Sequence, residues 1–163
     1  MTESNHTSIR IGKHEVGPDH EPYIIAEMSG NHDGSLDKAL DIVRMAAAQG
    51  AHAIKLQTYK PETITIESDA PDFRLSQGHE LWGGRTLWDL YQEAHTPWEW
   101  HEPIFALAKE LGITAFSSPF DPTAIDLLES LDVPAYKIAS SEIVDLPLIR
   151  LAASKGKPII IST

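Results

Sequence analysis

ITAFSSPFDPTAIDLLESLDVPAYKIASSEIVDLPLIRLAASKGKPIIIST, residues 113–163, holds three turns of one cycle. Ile113–Ser117 is an apolar run of strand length, and Asp121-Pro122 opens a helical pattern that continues through Leu128. The run Ala135–Ala139 then predicts a second strand, Leu146–Ser154 a second helix and Lys157–Ser162 a third strand. Strands that are apolar on both faces and alternate with helices imply right-handed crossovers and a parallel sheet.

Towards the amino terminus the same cycle recurs more slowly. Tyr23–Met28 reads as a buried strand, and Leu36, Leu40, Val43 and Ala47 recur at helical spacing between a capping Ser35 and a terminating Gly50. The strand His52–Thr58 follows, then an irregular polar stretch from Pro61 to about Gly84. Helical patterns span Thr86–Ala94 and Pro97–Leu111, with Gly112 as a stop, and Ser8–Val16 alternates around Gly12-Lys13 as a small hairpin.

About five strands separated by helices fit either an open doubly wound sheet or a barrel. No G-x-G-x-x-G or G-x-x-x-x-G-K-[ST] follows the first strand, so the nucleotide-binding open sheets lose their main support. A barrel aims the carboxyl end of every strand at one site. Here those ends carry Glu27, Lys55 with Gln57, Ser117 with Ser118, Lys137 with Ser140, and Ser162 with Thr163.

The 163 residues suffice for one domain with a core, yet fall short of the roughly 250 that a complete (β/α)8 barrel needs. A content of 42% hydrophobic and 23% charged residues is that of a globular chain. The formal net charge of -11 excludes non-specific nucleic-acid binding, so an anionic ligand requires a local lysine pocket. The absence of cysteine excludes disulfides and thiolate metal sites and makes a reducing cytoplasm the expected compartment. MTESNHTSIR has no apolar region of a secretion signal, and no run approaches about 18 apolar residues, so neither export nor membrane insertion is expected. The sequon Asn5-His6-Thr7 is read as chance on the same ground.

Glu27 at the mouth of the sheet suits a general base, or equally a carboxylate that holds a loop amide or a lysine. Asn31 and His32 read as ordinary loop contacts. Lys55 and Lys137 interrupt apolar strands, where an ammonium needs an anion or a hydrogen-bonding shell. A ligand bearing carboxylate and phosphate would satisfy both, with Ser118, Ser140 and Ser162 as hydroxyl donors. The alternatives are ion pairs with Glu27 and Glu142, or a Schiff-base lysine, which two lysines among several hydroxyls disfavour. Trp82, Trp88, Tyr91, Trp98 and Trp100 suit core packing of the helical insertion better than a sugar platform. His52, His79, His95 and His101 lack metal-binding spacing, so no metal ligand is assigned. Asp37, Asp41, Glu110, Asp126 and Glu129 read as a solvated helix face.

Five ordered stretches carry a family resemblance: Ile25–His32, Lys55–Thr58, Phe116–Phe120, Pro134–Glu142 and Gly156–Thr163. Together they resemble the sialic acid synthase family, from about Tyr23 to the last residue. Leu81–Tyr91 and His95–His101 look like its pseudaminic acid synthase branch rather than the N-acetylneuraminate or legionaminate branches. The resemblance implies the amino-terminal portion, about five βα units, of a (β/α)8 TIM barrel. It implies a metal-dependent condensation in which carbon 3 of phosphoenolpyruvate attacks the open-chain aldehyde of a bis-acetamido-trideoxy hexose. Water then attacks carbon 2 and phosphate leaves by C–O cleavage.

By resemblance Lys55, Ser118, Lys137, Ser140 and Ser162 hold phosphoenolpyruvate, Glu27 is the acid/base, and Gln57 and Glu142 face the sugar. Ser118 stands where some members have threonine, which keeps the hydroxyl. The family also implies manganese or magnesium on histidines of later strands, an antifreeze-like domain after the barrel, and a homodimer when full length. Residues 1–163 are therefore expected to be the amino-terminal part of the synthase barrel, without those later parts. A half barrel that binds phosphoenolpyruvate without turnover, or one that pairs with a second half, is the competing expectation.

Overall fold

A computed structural model describes residues 8–76, 78 and 83–163, so the sequon, His79 and Trp82 lie outside the described residues. A hairpin of β1 (Ile9–Ile11) and β2 (His14–Val16) precedes β3 (Ile25–Glu27), α1 (Leu36–Ala48) and β4 (Ala53–Thr58). The insertion holds a one-turn α2 (Pro61–Ile64), a 3-10 turn (Pro71–Phe73) and α3 (Leu87–Ala94). The chain continues with α4 (Trp98–Glu110), β5 (Thr114–Pro119), α5 (Pro122–Ser130), β6 (Tyr136–Ile138), a 3-10 turn (Ser140–Val144), α6 (Leu146–Ser154) and β7 (Ile159–Ile161).

The main sheet is parallel, five-stranded and ordered β3-β4-β5-β6-β7. A doubly wound sheet reverses its strand order at a switch point, whereas here each strand pairs with the next in sequence and the sheet curls as half of a barrel. The barrel expectation therefore holds over the open sheet.

Helix starts follow from side-chain caps. Ser35 Oγ accepts the Lys38 N–H, Asp121 Oδ1 accepts those of Thr123 and Ala124, and Asp145 Oδ1 accepts that of Leu148. Thr86 and Asp89 cap each other reciprocally at the start of α3.

Side chains alternate along each strand, and register partners in a parallel pair share a face. On the outer face Ile54, Leu56 and Ala115 pack with Met28 against Ala39 and Val43 of α1 and Ile104 and Ala108 of α4. A second cluster joins Tyr136 and Ile138 to Ile125, Leu128, Leu148 and Ala152 of α5 and α6. At the amino-terminal end of the sheet the hairpin is pressed close: Lys13 Nζ donates to Gly112 O at 2.7 Å, and Gly12 sits at φ 59°, where a Cβ would lie 2.6 Å from Thr114 Oγ1. Only glycine fits there.

The outer face contains one buried polar group of contacts. Thr58 Oγ1 lies 2.8 Å from His101 Nε2 and 2.6 Å from Ser117 Oγ, and His101 Nδ1 lies 3.2 Å from Pro97 O. All three side chains are fully buried. Burial is the main cause that pushes the His101 pKa down to about 4, so the ring is neutral in the fold.

One sequence reading changes here. Glu129 is not on a solvated face: it accepts from Tyr136 Oη and pairs with Lys157 at 2.8 Å, tying α5 to the approaches of β6 and β7. Of the aromatic residues, Tyr91, Trp98 and Trp100 make separate contacts. Trp100 packs on the first core, Tyr91 meets Tyr59 edge-on, and Lys60 Nζ sits 4.2 Å over the Trp98 ring, as the packing reading expects.

Leu56→Ala empties a fully buried site and should lower unfolding free energy by about 2–5 kcal/mol in urea titrations. His101 predicts a pH dependence as well. Its folded pKa of about 4 lies below the ordinary 6.5, so the unfolded chain binds a proton first as pH falls. Stability is full above 6.5, declines between 6.5 and about 4 by on the order of 3 kcal/mol, and levels below. Urea midpoints measured from pH 7.5 to 4 should fall less in His101→Phe than in the parent.

Candidate active site

The concave face is built from the parity opposite to the core. Glu27 is in register with Lys55, Gln57 with Ser118, and Lys137 with Ile160. Ile54, Leu56, Ser117, Tyr136 and Ile138 belong to the outer parity. Glu27, Lys55, Gln57, Ser118, Lys137 and, one step past β7, Ser162 therefore share the inner parity at the carboxyl ends of the strands. The sheet brings these sequence-selected residues together. Ser140 and Glu142 sit in the 3-10 turn that directly follows β6, at the same end, with Ser140 exposed and Glu142 accepting from Ser141 Oγ at 2.7 Å.

Glu27 and Lys55 form an ion pair across the β3–β4 register, with the lysine side chain 15% exposed and the carboxylate 40%. Its contacts are those of a carboxylate that holds both a lysine and a loop amide, since it also accepts the Ser29 N–H at 3.1 Å. Ser29 sits at φ 50°, a left-handed conformation that turns its N–H back to the carboxylate, and its hydroxyl donates to Gln57 Oε1 at 3.3 Å. The ion-pair alternative holds for Lys55 but not for Lys137. Lys137 Nζ instead donates to Ile138 O at 3.0 Å and Ser162 Oγ at 2.5 Å.

Burial, then the Lys55 charge, lower the Lys137 pKa from its ordinary value, while Glu27 and Glu142 oppose the shift. The two ammonium groups feel each other, and nearby Ser118 is 2% exposed. A pair of mutually repelling cations beside hydroxyl donors is a site whose electrostatics improve when an anion arrives.

In the loop after Glu27, a Cβ on Gly30 would lie 3.2 Å from Ala94 O, a tight contact, so glycine eases the approach of the loop to α3. His32 is fully buried, accepts the Gly34 N–H at 3.2 Å, lies 3.4 Å from Thr96 Oγ1 and meets Trp100 edge-on. Its pKa is lowered by burial, then by His95, and its role is the structural contact that the sequence suggests.

A cleft of about 470 Å³ under the hairpin, lined by Lys13, Phe105 and Lys109, lies at the opposite end of the sheet and includes none of these residues. Among the described residues no group of three or more His, Cys, Asp or Glu side chains is placed to hold a metal ion. The described residues do not fit the divalent ion that the family implies.

Sequence reasoning missed Ser29 and the Thr58–Ser117–His101 contacts. The available signal was positional: Thr58 and Ser117 are hydroxyls at core parity in apolar strands, and His101 lies three residues before Ile104, on the buried stripe of α4.

A family model described as the NeuB family matches residues 42–163. The chain is 48% identical over 145 residues to a pseudaminic acid synthase of Campylobacter jejuni, covering 89% of this chain and 42% of that protein. It is 49% identical over 142 residues to a pseudaminic acid synthase of Helicobacter pylori, covering 87% of this chain and 41% of that protein. The chain thus spans about two fifths of the length of the curated relatives it matches. Among solved structures, N-acetylneuraminic acid synthetase from Leptospira borgpetersenii superposes with a TM-score of 0.80 at 26% identity, over 96% of this chain and 49% of that one. Family match, identity along most of the chain and the shared half-barrel geometry agree: the chain belongs to the NeuB family.

Proposed function

We propose that this chain supplies the phosphoenolpyruvate clamp and the acid/base carboxylate of a nonulosonic acid synthase, and that the sugar is the bis-acetamido-trideoxy hexose that yields pseudaminic acid. The observation that carries the reading is the convergence of Lys55, Lys137, Ser118 and Ser162 with Glu27 and Gln57 on one concave strand-end face. The similarity to named pseudaminic acid synthases supports the choice of sugar over N-acetylmannosamine.

In this reading the carboxylate and phosphate of phosphoenolpyruvate take the Lys55 and Lys137 ammonium groups and the hydroxyls of Ser118, Ser140 and Ser162. Without ligand, Glu27 itself occupies the Lys55 ammonium. An incoming anion replaces it there and leaves the Glu27 carboxylate free beside the reacting carbons, so the same exchange that binds substrate prepares the acid/base. Gln57, already oriented by Ser29, and Glu142 face the sugar. Carbon 3 of phosphoenolpyruvate bonds to the aldehyde carbon, water adds at carbon 2, and phosphate departs with the C–O bonding pair. The divalent ion that the family implies, manganese or magnesium, would supply Lewis-acid chemistry and would need ligands that the described residues do not provide. Homodimerisation and a cytoplasmic location belong to the same reading.

Titration calorimetry with phosphoenolpyruvate should show Lys55→Ala and Lys137→Ala each weakening binding by roughly ten- to a hundredfold, the loss of one charge-assisted partner. Unchanged affinity in both variants would reject the clamp. Glu27→Gln should bind phosphoenolpyruvate at least as tightly as the parent, because the internal competitor for Lys55 is gone, while phosphate release in the complete assay is lost. Binding should also weaken as pH rises, starting below the range of an ordinary lysine, because the lowered Lys137 pKa discharges that ammonium early. Phosphate release with manganese and the bis-acetamido-trideoxy hexose, against N-acetylmannosamine, tests the sugar: release only with the second would assign an N-acetylneuraminate-type synthase instead.

A further inference from the structure

Behind the clamp, on the face of the sheet that carries no substrate group, lie the buried contacts of Thr58, Ser117 and His101. Their tautomeric states follow from simple counting. His101 is neutral, and its Nδ1 lies 3.2 Å from the Pro97 carbonyl, which only accepts, so the ring proton is on Nδ1. Nε2 is then an acceptor and takes the Thr58 hydroxyl proton at 2.8 Å. Thr58 Oγ1 has its own proton committed, so Ser117 donates to it at 2.6 Å. The direction is fixed along the whole path: Ser117 to Thr58, Thr58 to His101, His101 to the first turn of α4.

The path crosses the β4–β5 pair at its site end. Leu56 is in register with Ser117 and Gln57 with Ser118, so Thr58 and Ser117 are the chain neighbours of the two inward-facing site residues. In a pleated strand, a rotation that moves Thr58 or Ser117 on one face swings Gln57 or Ser118 on the other. The first turn of α4 is itself anchored, because Thr96, just before it, meets His32 in the loop that follows Glu27. One imidazole therefore references the ends of β4 and β5 to the same short segment that packs against the Glu27 loop.

We infer that His101 is a positioning residue for the concave site, fixing Gln57 and Ser118 relative to each other from behind the sheet through Thr58 and Ser117. The inference rests on the clamp reading for its ligand. His101 touches no substrate: it is fully buried on the outer face and packs beside Phe105 of α4. An apolar residue of similar size would fill the volume, yet would leave Thr58 and Ser117 with each other alone and no fixed direction.

The test is calorimetric affinity for phosphoenolpyruvate in the parent, His101→Phe, His101→Gln, Ser118→Ala, Lys137→Ala and the doubles of His101→Phe with each of the last two. His101→Phe should weaken binding roughly tenfold, and His101→Gln, whose amide oxygen still accepts from Thr58, should recover to within about threefold of the parent. The His101→Phe penalty should vanish on top of Ser118→Ala, because its route to the ligand is already gone, and persist in full on top of Lys137→Ala, which lies on β6. Parent-like binding by His101→Phe, or full additivity with Ser118→Ala, overturns the inference while leaving the clamp intact. Amide exchange separates the two failures: faster exchange in His101→Phe confined to residues 57, 58, 117 and 118 supports the positioning role even if phosphoenolpyruvate proves the wrong anion. Unchanged exchange there rejects it.

Discussion

The six-residue register between β4 and β5 is the constraint on which the molecule depends. It runs from Ala53 opposite Thr114 to Thr58 opposite Pro119 and is flanked on either side by pairings of one to three residues. Because strand side chains alternate, this one alignment sends Ile54 and Leu56 to the helices and Lys55 and Gln57 to the concavity. A slip of a single residue would bury the lysine against Ile104 and Ala108 and expose the leucine, at a cost the small core does not offset. The hydrophobic core and the polar site are two faces of one alignment, so neither is optimised alone.

That coupling explains why strand lysines are tolerated in so acidic a chain. The net charge of -11 describes the average surface, whereas Lys55 and Lys137 sit inside a sheet where solvent screening is reduced. Glu27 neutralises one ammonium. The other is left to the Ile138 carbonyl and the Ser162 hydroxyl, neither of which carries a charge. Neutral acceptors satisfy hydrogen bonds without compensating the charge, which is why burial and the neighbouring lysine still lower the Lys137 pKa. The electrostatic asymmetry is local, and composition alone would have pointed away from an anion.

What the sequence made legible tracks how local the determining interaction is. The ends of α6, Leu146 and Ser154, are readable because a cap, Asp145, and the loss of apolar period at Lys155-Gly156 act within a few residues. Glu27, Lys55 and Lys137 are readable because a charge within an apolar run is conspicuous whatever the partner. The partners are not. Lys137 chose Ser162 over Glu142, a matter of where the next strand lies, and Glu129 found Tyr136 and Lys157 across two connections. The first strand shrank from the expected Tyr23–Met28 to Ile25–Glu27, although the Ile24 carbonyl still accepts the His52 and Ala53 N–H groups just before the ladder. Hydroxyls such as Thr58 and Ser117 look the same in sequence on either face, and only the register separates the inward Ser118 from the outward Ser117.

The two edge strands complete the physical picture. β3 and β7 end the sheet, and large apolar side chains lie at both: Ile24 with Met45 at the first and Ile161 at the second, all more than a third exposed. Open edges carrying apolar side chains are a liability in a free sheet. On the inner face Ile25 lies below Glu27, while Phe116 stands in register with Lys55 and Ile160 with Lys137, so apolar side chains sit at the same level as the two cations. The half barrel thus places two strand cations, the Ser162 hydroxyl and the Glu27 carboxylate on one face, each cation with an apolar residue across one strand boundary.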